Sequence, residues 1–255
     1  MTRYALLVHY DGTFFNGWQV QDRGRTVQGE IEKGIEILTK ERIRVSASGR
    51  TDSGVHALGQ VIHFDLVNNI DLQRLCIGLN GILPSDISVK NAYIVDNDFH
   101  SRFTAIKREY IYRIYCSPLR SPFMAYRALW VSTPLSCSYV RDVTQYLPGE
   151  MDFASFCKKI SLENGTVRKI ESIDVTKRDE IISIKICANA FLHNMIRIII
   201  GTIITMNKEG KDPSFIKEVI AARNREYSGY TAPPHGLYLN QVFYDPPLDN
   251  YVSAF

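Results

Sequence analysis

The sequence predicts an α+β protein built on an antiparallel or mixed sheet. Segments with the β-branched and aromatic residues of strands alternate with segments whose apolar residues recur at helical spacing. Over the first 95 residues the order is strand, helix, strand, strand, helix, strand, and the same kind of order recurs after residue 138. A length of 255 residues allows one large domain or two smaller ones, with enough chain for a sizeable core.

The first half combines four predicted strands with two predicted helices. The first helix begins after the N-cap residue Thr26, and its apolar face consists of Val27, Ile31, Ile35 and Leu38. We expect the second helix over residues 71–79. The strands are expected at residues 4–10, 43–47, 60–64 and 87–95, followed by a turn-like connection at residues 98–103.

The second half begins with a strand at residues 109–116, where Tyr110, Tyr112 and Ile114 share one face. A segment rich in Pro, Ser and aromatic residues follows at 117–135. Helices are expected at 138–146, 191–204 and 213–223, and strands at 166–176, 181–190 and 236–243. The helix at 191–204 is apolar nearly all round, which predicts a buried helix, and it is too short to span a membrane.

The element order places the boundary between the halves close to residue 107. We expect an N-terminal half at residues 1–106 and a C-terminal half at residues 107–245. The remaining residues, 246–255, are expected to form a peripheral tail.

The composition is that of an ordinary globular protein, and a net charge of +3 is too small to indicate a nucleic-acid partner by itself. The five cysteines are widely spaced, without a Cys-x-x-Cys pair, which argues against a disulfide framework or a zinc knuckle. The N-terminus lacks the apolar core of a signal peptide. We therefore expect a reduced, cytoplasmic protein, in which the sequon Asn164-Gly165-Thr166 is an ordinary turn.

The stretch Ser48-Gly49-Arg50-Thr51-Asp52-Ser53-Gly54 is the main candidate for chemistry. Its two glycines favour a tight loop rather than a helix, and strand-like segments flank it on both sides. A polar loop between two strands is a rigid mount for a catalytic group. Spacing alone favours the alternative, in which Arg50 and Asp52 bond only each other and the loop backbone.

A loop after the first strand contains aromatic residues that look exposed, namely Phe14, Phe15 and Trp18, followed by Gln19, Gln21, Arg23 and Arg25. Aromatic rings interleaved with arginines and amides suit unstacked RNA bases and phosphates. The alternative is that the rings, Trp18 in particular, belong to the core.

Arg197 lies in the middle of the apolar run at 191–204. Burying an unpaired guanidinium destabilises the folded state by roughly several kcal/mol. We therefore expect a carboxylate partner for Arg197 in the fold. Asp52 is one candidate for that partner, and a purely structural acid is the other.

Several enzyme classes lack their sequence motifs here: there is no Gly-x-Ser-x-Gly, phosphate-binding loop, Gly-x-Gly-x-x-Gly or His-Glu-x-x-His. His56 and His63 are seven residues apart on a strand and turn, which is not a metal-ligand spacing. We expect neither a metal nor a cofactor.

Motifs distributed from the first strand to the last resemble the tRNA pseudouridine synthase A family. They are Tyr10-Asp11-Gly12, Gly17-Trp18-Gln19, Gly49-Arg50-Thr51-Asp52-Ser53-Gly54-Val55-His56-Ala57, Lys107-Arg108-Glu109-Tyr110, Asn189-Ala190-Phe191-Leu192-His193-Asn194-Met195-Ile196-Arg197 and Gly236-Leu237-Tyr238-Leu239. The sequence departs from the family at Ser48 and Ser53, where the family more often has alanine.

The resemblance implies an isomerase, an intramolecular transferase that converts uridine to pseudouridine at positions 38, 39 and 40 of the tRNA anticodon stem-loop. It implies a cytoplasmic homodimer without metal or cofactor, and a pseudouridine synthase fold with two similar α/β halves around a central cleft. Asp52 is then the nucleophile, Arg50 and Arg197 its charged neighbours, and Tyr110 stacks on or deprotonates the target base. The further residues expected to bind substrate are Trp18, Gln19, Arg23, His56 and Leu237.

This chemistry gives each residue type a reason. Cleaving the glycosidic bond needs an ionised carboxylate, either as nucleophile or as a stabiliser of positive charge on the sugar, and arginine neighbours favour that ionised form. A uridine inside a stem must be extruded, and an aromatic face offers stacking in exchange. Two other hypotheses remain: an RNA-binding or chaperone module without chemistry, and a hydrolase with an aspartate nucleophile.

Overall fold

The computed structural model describes residues 1–158 and 165–255, so Asn164 of the expected turn lies outside the described residues. The chain divides into two compact units. The first consists of residues 1–108 together with 238–255, and the second of residues 109–237. The sequence-based boundaries differ at the C-terminus, where they assign residues 238–245 to the second half and leave 246–255 as a tail.

The first unit is a mainly antiparallel sheet with two helices. Its strands are β1 (Thr2–Tyr10), β2 (Ser46–Ala47), β3 (His56–Leu66), β4 (Ile87–Ile94), β10 (Leu237–Tyr244) and β11 (Val252–Ser253), and its helices are α1 (Val27–Thr39) and α2 (Leu72–Ile82). The strand order is β11-β4-β1-β3-β10, and β2 pairs with β3. β10 runs parallel to β3, and the other pairings are antiparallel. The expected order of elements over the first 95 residues is confirmed.

Apolar periodicity and capping explain the two helices. Thr26 has an extended backbone, and its side chain accepts a hydrogen bond from the N–H of Gly29, as expected for an N-cap. Asp71 caps α2 in the same way through the N–H of Arg74. Ile31 and Ile35 of α1 are fully buried, so the sequence-predicted apolar face is the face that joins the core.

The second unit contains the strands β5 (Ala105–Cys116), β6 (Leu129–Val131), β7 (Gly149–Asp152), β8 (Val167–Arg178) and β9 (Ile181–Ala188), and the helices α3 (Cys137–Thr144), α4 (Met195–Lys208) and α5 (Ile216–Ala222). The strand order is β5-β9-β8-β7, with β6 parallel to β5. Along β9 the alternate residues Ile182, Ile184, Ile186 and Ala188 are fully buried. The two units together confirm the α+β class and the mixed, mainly antiparallel pairing.

Three short strands were not expected from the sequence. β6 lies within the Pro- and Ser-rich segment, β7 follows α3, and β11 belongs to the presumed peripheral tail. β11 pairs with β4 through Val252 and Ile94, and Ala254 next to it is buried, so the tail extends the sheet of the first unit. Conversely, the strand expected at residues 43–47 is reduced to the two residues of β2.

The buried helix α4 begins four residues later than expected. Asn194 at its N-cap has φ of 62°, a left-handed conformation that separates residues 191–193 from the helix. Ten of the 14 helical residues are buried, in agreement with the apolar run. Within residues 1–158 and 165–255, no helix is long and apolar enough to cross a membrane.

Candidate functional site

The loop that carries Asp52 spans residues 48–55, between β2 and β3, as the sequence predicts. The Asp52 carbonyl accepts a hydrogen bond from Val55 N–H at 3.1 Å, which closes a turn. Gly54 within this turn has φ of +79°, where a side chain is strained. Both ends of the loop are thus held by strands, and its centre is a tight turn.

A second loop, residues 11–25, packs directly against the Asp52 loop. Trp18 N–H donates to the Thr51 carbonyl at 3.0 Å, and the Ser53 hydroxyl donates to the Phe15 carbonyl at 3.0 Å. Gly17 has φ of +84°, and a Cβ there would lie 2.8 Å from the Thr51 carbonyl oxygen. The close approach of the two main chains therefore requires glycine at position 17.

The two loops line one cleft with a volume of about 440 Å³. Apart from Trp18, its lining residues have polar or charged side chains: Asn16, Gln19, Gln21, Arg50, Thr51, Asp52 and Ser53. Asp52 is half-buried and Arg50 is exposed. The sequence-predicted residues Asp52, Arg50, Trp18 and Gln19 are therefore brought together at one place in the first unit.

The aromatic residues of residues 11–25 do not form the exposed set expected from the sequence. Phe14 is 76% exposed, but Phe15 and Trp18 are only 1% and 2% exposed. The Trp18 ring packs against Tyr10 with ring centroids 6.0 Å apart, so most of its surface belongs to the core. For Phe15 and Trp18 the alternative is confirmed, namely that these rings belong to the core. Arg23 is exposed on the same loop.

His56 lies beneath the loops rather than on the surface, with 2% of its area exposed. Its Nδ1 accepts a hydrogen bond from Gly12 N–H at 3.1 Å, and its ring stacks on Tyr238 at 4.6 Å. The same Nδ1 lies 3.1 Å from Oδ1 of Asp11. His56 therefore stabilises the turn at residues 11–13. The expected contact of His56 with substrate stays a prediction.

Three sequence-predicted site residues, Tyr110, Arg197 and Leu237, belong to the second unit. Tyr110 is half-buried, and its ring meets the edge of Phe191 at 5.1 Å. Leu237 is buried at the start of β10.

Arg197 is half-buried in the first turn of α4. Its Nε donates to the Ala232 carbonyl and its Nη1 to the Asn194 side-chain carbonyl, both at 2.7 Å. The carboxylate partner expected for Arg197 stays a prediction.

A buried polar network lies below the Asp52 loop and was not recognised in the sequence. It contains Tyr10, Thr51, Ser48 and Gln60, all of them less than 8% exposed. Its members come from β1, the loop and β3, so they meet only through the register of the sheet. The only sequence signal was the position of Tyr10, Ser48 and Thr51 within or next to the motifs.

A second polar cluster in the first unit connects β3 to residues 98–104. Nδ1 of His63 accepts from Ser101 N–H at 3.2 Å and lies 2.9 Å from the Ser101 hydroxyl, which donates to the Ser46 carbonyl. Burial, with nearby His100 and Arg3, lowers the pKa of His63 to about 4, against the opposing effect of Asp65. His63 is therefore neutral in the folded protein at neutral pH.

Among the described residues, no group of three or more His, Cys, Asp or Glu side chains is placed to hold a metal ion. The chemistry available in the cleft is that of one carboxylate, one guanidinium, amides and hydroxyls. Such a set has the chemistry to bind a polar, hydrogen-bonding ligand, and its carboxylate, Asp52, is the group able to act as a nucleophile or charge stabiliser.

Comparisons of the sequence with known proteins show the family of this chain. A model of the tRNA pseudouridine synthase family matches residues 6–104 and 143–245. The chain belongs to this family.

Curated relatives extend the match to nearly the whole chain. The tRNA pseudouridine synthase A of Bacillus subtilis is 43% identical over 245 residues, covering 95% of this chain and 99% of the relative. The protein of the same name from Leptospira biflexa is 42% identical over 250 residues, covering 96% and 95%. A solved Cbf5-Nop10-Gar1 complex shows a much weaker likeness, with 10% identity and a TM-score of 0.34 over 78% of this chain and 52% of that one, and it carries no argument here.

Proposed function

We propose that this protein isomerises uridine to pseudouridine at positions 38, 39 and 40 of the tRNA anticodon stem-loop, with Asp52 as the nucleophile. The observation that carries the proposal is the cleft of the first unit, in which Asp52 and Arg50 lie together in a chain of the tRNA pseudouridine synthase family. The choice of the anticodon arm and the homodimeric state rest on the resemblance alone, and the proposed cytoplasmic location rests also on the cysteine spacing and the N-terminal sequence.

The size and lining of the cleft suit one extruded nucleotide. A volume of about 440 Å³ lies within the range of small-ligand sites, roughly 300–1,000 Å³. The amides of Gln19, Gln21 and Asn16 offer donors and acceptors to the Watson–Crick edge of a base. Extruding a nucleotide from a stem costs roughly a few kcal/mol, and hydrogen bonds between these amides and the base offset that cost.

Asp52 and Arg50 supply the charges that the reaction needs. The carboxylate of Asp52 either attacks the substrate or stabilises positive charge at the sugar while the base is detached. The guanidinium of Arg50 is a permanent positive charge that suits contact with a nearby phosphate of the substrate. The N1–C1′ bond breaks, and the detached base turns within the cleft, exchanging one set of hydrogen bonds to the amide side chains for another. C1′ then bonds to C5, C5 loses its proton to solvent and N1 takes one up, so the product has the same atoms as uridine and no uracil is released.

The decisive experiment measures tritium release from tRNA labelled at C5 of uridine. Asp52→Asn is expected to abolish release while tRNA binding, measured by filter retention, changes less than about threefold, because only a transition-state interaction is lost. Asp142→Asn, on the exposed surface of α3, is the matched control and retains normal turnover. Normal turnover by Asp52→Asn would remove Asp52 from the mechanism.

The same assay tests the second candidate function, an RNA-binding module without chemistry. The polar cleft and the exposed Phe14 and Arg23 suit RNA contact without any reaction. A pure binder releases no tritium with the unaltered chain. Mapping pseudouridines in tRNA from cells that lack the protein then tests positions 38, 39 and 40 directly.

Tyr110 and Arg197 keep the roles implied by the resemblance as proposals. Tyr110→Leu is expected to lower turnover, because it removes both the aromatic face and the hydroxyl. Tyr110→Phe separates these two contributions: retained turnover supports stacking, and lost turnover supports deprotonation by the hydroxyl. Arg197→Gln is expected to lower turnover more than it lowers tRNA affinity. Comparing the change in kcat with the change in Kd for tRNA tests this expectation.

A further inference from the structure

A continuous chain of hydrogen bonds runs from Ser48 through Gln60 and Tyr10 to Thr51. The Ser48 hydroxyl lies 2.6 Å from Oε1 of Gln60, and Nε2 of Gln60 lies 2.9 Å from the Gly49 carbonyl and 3.5 Å from the Tyr10 hydroxyl. The Tyr10 hydroxyl is 2.8 Å from Oγ1 of Thr51. Gln60 is fully buried and Tyr10 is 4% exposed, so the chain is shielded from water.

The chemistry of its neighbours decides the orientation of the Gln60 amide. The Gly49 carbonyl only accepts, so the Gln60 side chain must present its amide nitrogen there and its oxygen to Ser48. The second proton of that nitrogen points to the oxygen of Tyr10, although 3.5 Å makes this bond weak. The Tyr10 hydroxyl and Oγ1 of Thr51 share the last bond of the chain at 2.8 Å, and either oxygen can be its donor.

Thr51, the residue immediately before Asp52, is held at two points. Its carbonyl accepts from Trp18 N–H at 3.0 Å, and its hydroxyl is bonded to Tyr10 at 2.8 Å. The turn after Asp52 is closed by Val55 N–H on the Asp52 carbonyl. Two fixed points on one side and a closed turn on the other restrict the direction in which the Asp52 side chain leaves the backbone.

We propose that Tyr10 is a positioning residue for Asp52, and that its hydroxyl acts through Thr51 to hold the Asp52 loop in its reactive conformation. The inference rests on the proposed role of Asp52 as nucleophile. Tyr10 touches neither substrate nor reacting atoms in this proposal. Its effect is on orientation, where a misplacement of about 1 Å costs up to roughly 100-fold in rate.

Tyr10→Phe removes only the hydroxyl and keeps the ring that packs against Trp18. We expect the single-turnover rate to fall about 10- to 100-fold while Kd for tRNA stays within about twofold. Tyr4→Phe is the matched control. Tyr4 lies on the same strand β1, is fully buried and bonds Ile70 through its hydroxyl, remote from the cleft lining. It is expected to retain the normal rate.

A pair of substitutions at Thr51 tests the same bond from its other end. Thr51→Ser keeps Oγ1 and is expected to keep most of the activity, whereas Thr51→Val keeps the shape but removes the hydroxyl and is expected to behave like Tyr10→Phe. The Ser and Val variants together remain informative if Tyr10→Phe does not fold. A normal rate in Tyr10→Phe, or equal rates in Thr51→Ser and Thr51→Val, would overturn the inference.

Asp52→Asn distinguishes failure of this inference from failure of the proposed function. If Asp52→Asn is inactive and Tyr10→Phe is normal, only the positioning role of Tyr10 is wrong. If Asp52→Asn retains turnover, the proposed function of Asp52 fails and the positioning role fails with it.

Discussion

The main-chain N–H of Trp18 donates to the carbonyl of Thr51 at 3.0 Å, while the Trp18 carbonyl accepts from Gln28 N–H at 3.0 Å in the first turn of α1. One residue therefore connects the start of a helix to the loop that carries Asp52. The Trp18 ring is buried, so this connection is anchored in the core of the first unit. The geometry of the cleft depends on the residue 11–25 loop as much as on the Asp52 loop.

The first prediction concerns Gly17, which permits the close contact between these two loops. Gly17→Ala places a Cβ 2.8 Å from the Thr51 carbonyl oxygen and 3.2 Å from Ser53 N, at a φ of +84°. Strain and collision with backbone are expected to lower the free energy of unfolding by at least about 2 kcal/mol. The single-turnover rate is expected to fall as well. Urea unfolding and tritium release measure the two effects.

Gly81 provides the control for this substitution. It lies in α2 without positive φ, and a Cβ there meets nothing within 4 Å. Gly81→Ala is expected to be neutral or to stabilise the protein by up to about 1 kcal/mol, because alanine has the higher helix propensity. Equal destabilisation by the two substitutions would contradict the close-contact argument.

The second prediction concerns Arg25, whose contacts fix the C-terminal end of the residue 11–25 loop. Its guanidinium bonds both carboxylate oxygens of Asp86, at 2.6 and 2.8 Å, and its Nε bonds Glu30. The guanidinium also lies 4.2 Å from the centroid of the Phe15 ring. A double-mutant cycle with Arg25→Gln and Asp86→Asn is expected to give a coupling of about 1 kcal/mol in urea unfolding.

An ion pair with an exposed arginine on the same unit is the comparison for that cycle. Arg44 contacts Glu32 at 3.2 Å, but 72% of the Arg44 side chain is exposed, against 34% for Arg25. The Arg44–Glu32 cycle is expected to give less than about 0.5 kcal/mol, because water screens the pair. Couplings of equal size would show that bidentate geometry and partial burial contribute nothing.

Local patterns were sufficient for the elements that are long or capped. Thr26 and the apolar spacing after it predicted α1, and the alternation along β9 predicted its buried face. The short strands β6, β7 and β11 were missed because two to four residues carry too little pattern. β6 exists because Leu129 pairs with Ile114, which lies 15 residues earlier in the chain. The local sequence pattern around Leu129 carries no information about such a distant partner.

The candidate site was predicted where its residues form a contiguous motif, as at Arg50 and Asp52. The burial of Trp18 was not decided by the sequence, because a ring in a loop is exposed or covered according to which other loop packs on it. Gln60 was overlooked for the same reason. It lies in an ordinary strand, and its role depends on Tyr10 and Ser48, which come from distant positions in the chain.

The third prediction concerns the salt dependence of tRNA binding. Arg23 is exposed on the loop that lines the cleft, and a phosphate contact releases about one counterion. Arg23→Gln is expected to reduce the slope of log K against log salt by about one. Lys33→Gln, on the exposed face of α1, is the charge-matched control and should leave the slope unchanged. A slope that stays the same in Arg23→Gln would exclude Arg23 from the RNA surface.

The final prediction concerns the pH dependence of stability through His63. Because burial lowers the pKa of His63 to about 4, below its ordinary value of 6.5, the unfolded chain takes up this proton first as the pH falls. The stability that neutral His63 contributes is thus fully present above pH 6.5 and is lost as the pH falls towards 4. Protonation would also end the hydrogen bond from Ser101 N–H to Nδ1.

His63→Gln removes this titration. At pH 7 the variant is expected to have a lower free energy of unfolding than the unaltered protein. The difference between the two proteins is expected to decrease by on the order of 3 kcal/mol between pH 7 and pH 4. Urea unfolding at pH steps of about 0.5 measures the two curves, and titrating groups remote from His63 cancel in their difference. If His63 is buried and neutral, the two curves of unfolding free energy against pH must approach each other as the pH falls. Parallel curves across this range would therefore mean that His63 does not couple proton uptake to unfolding.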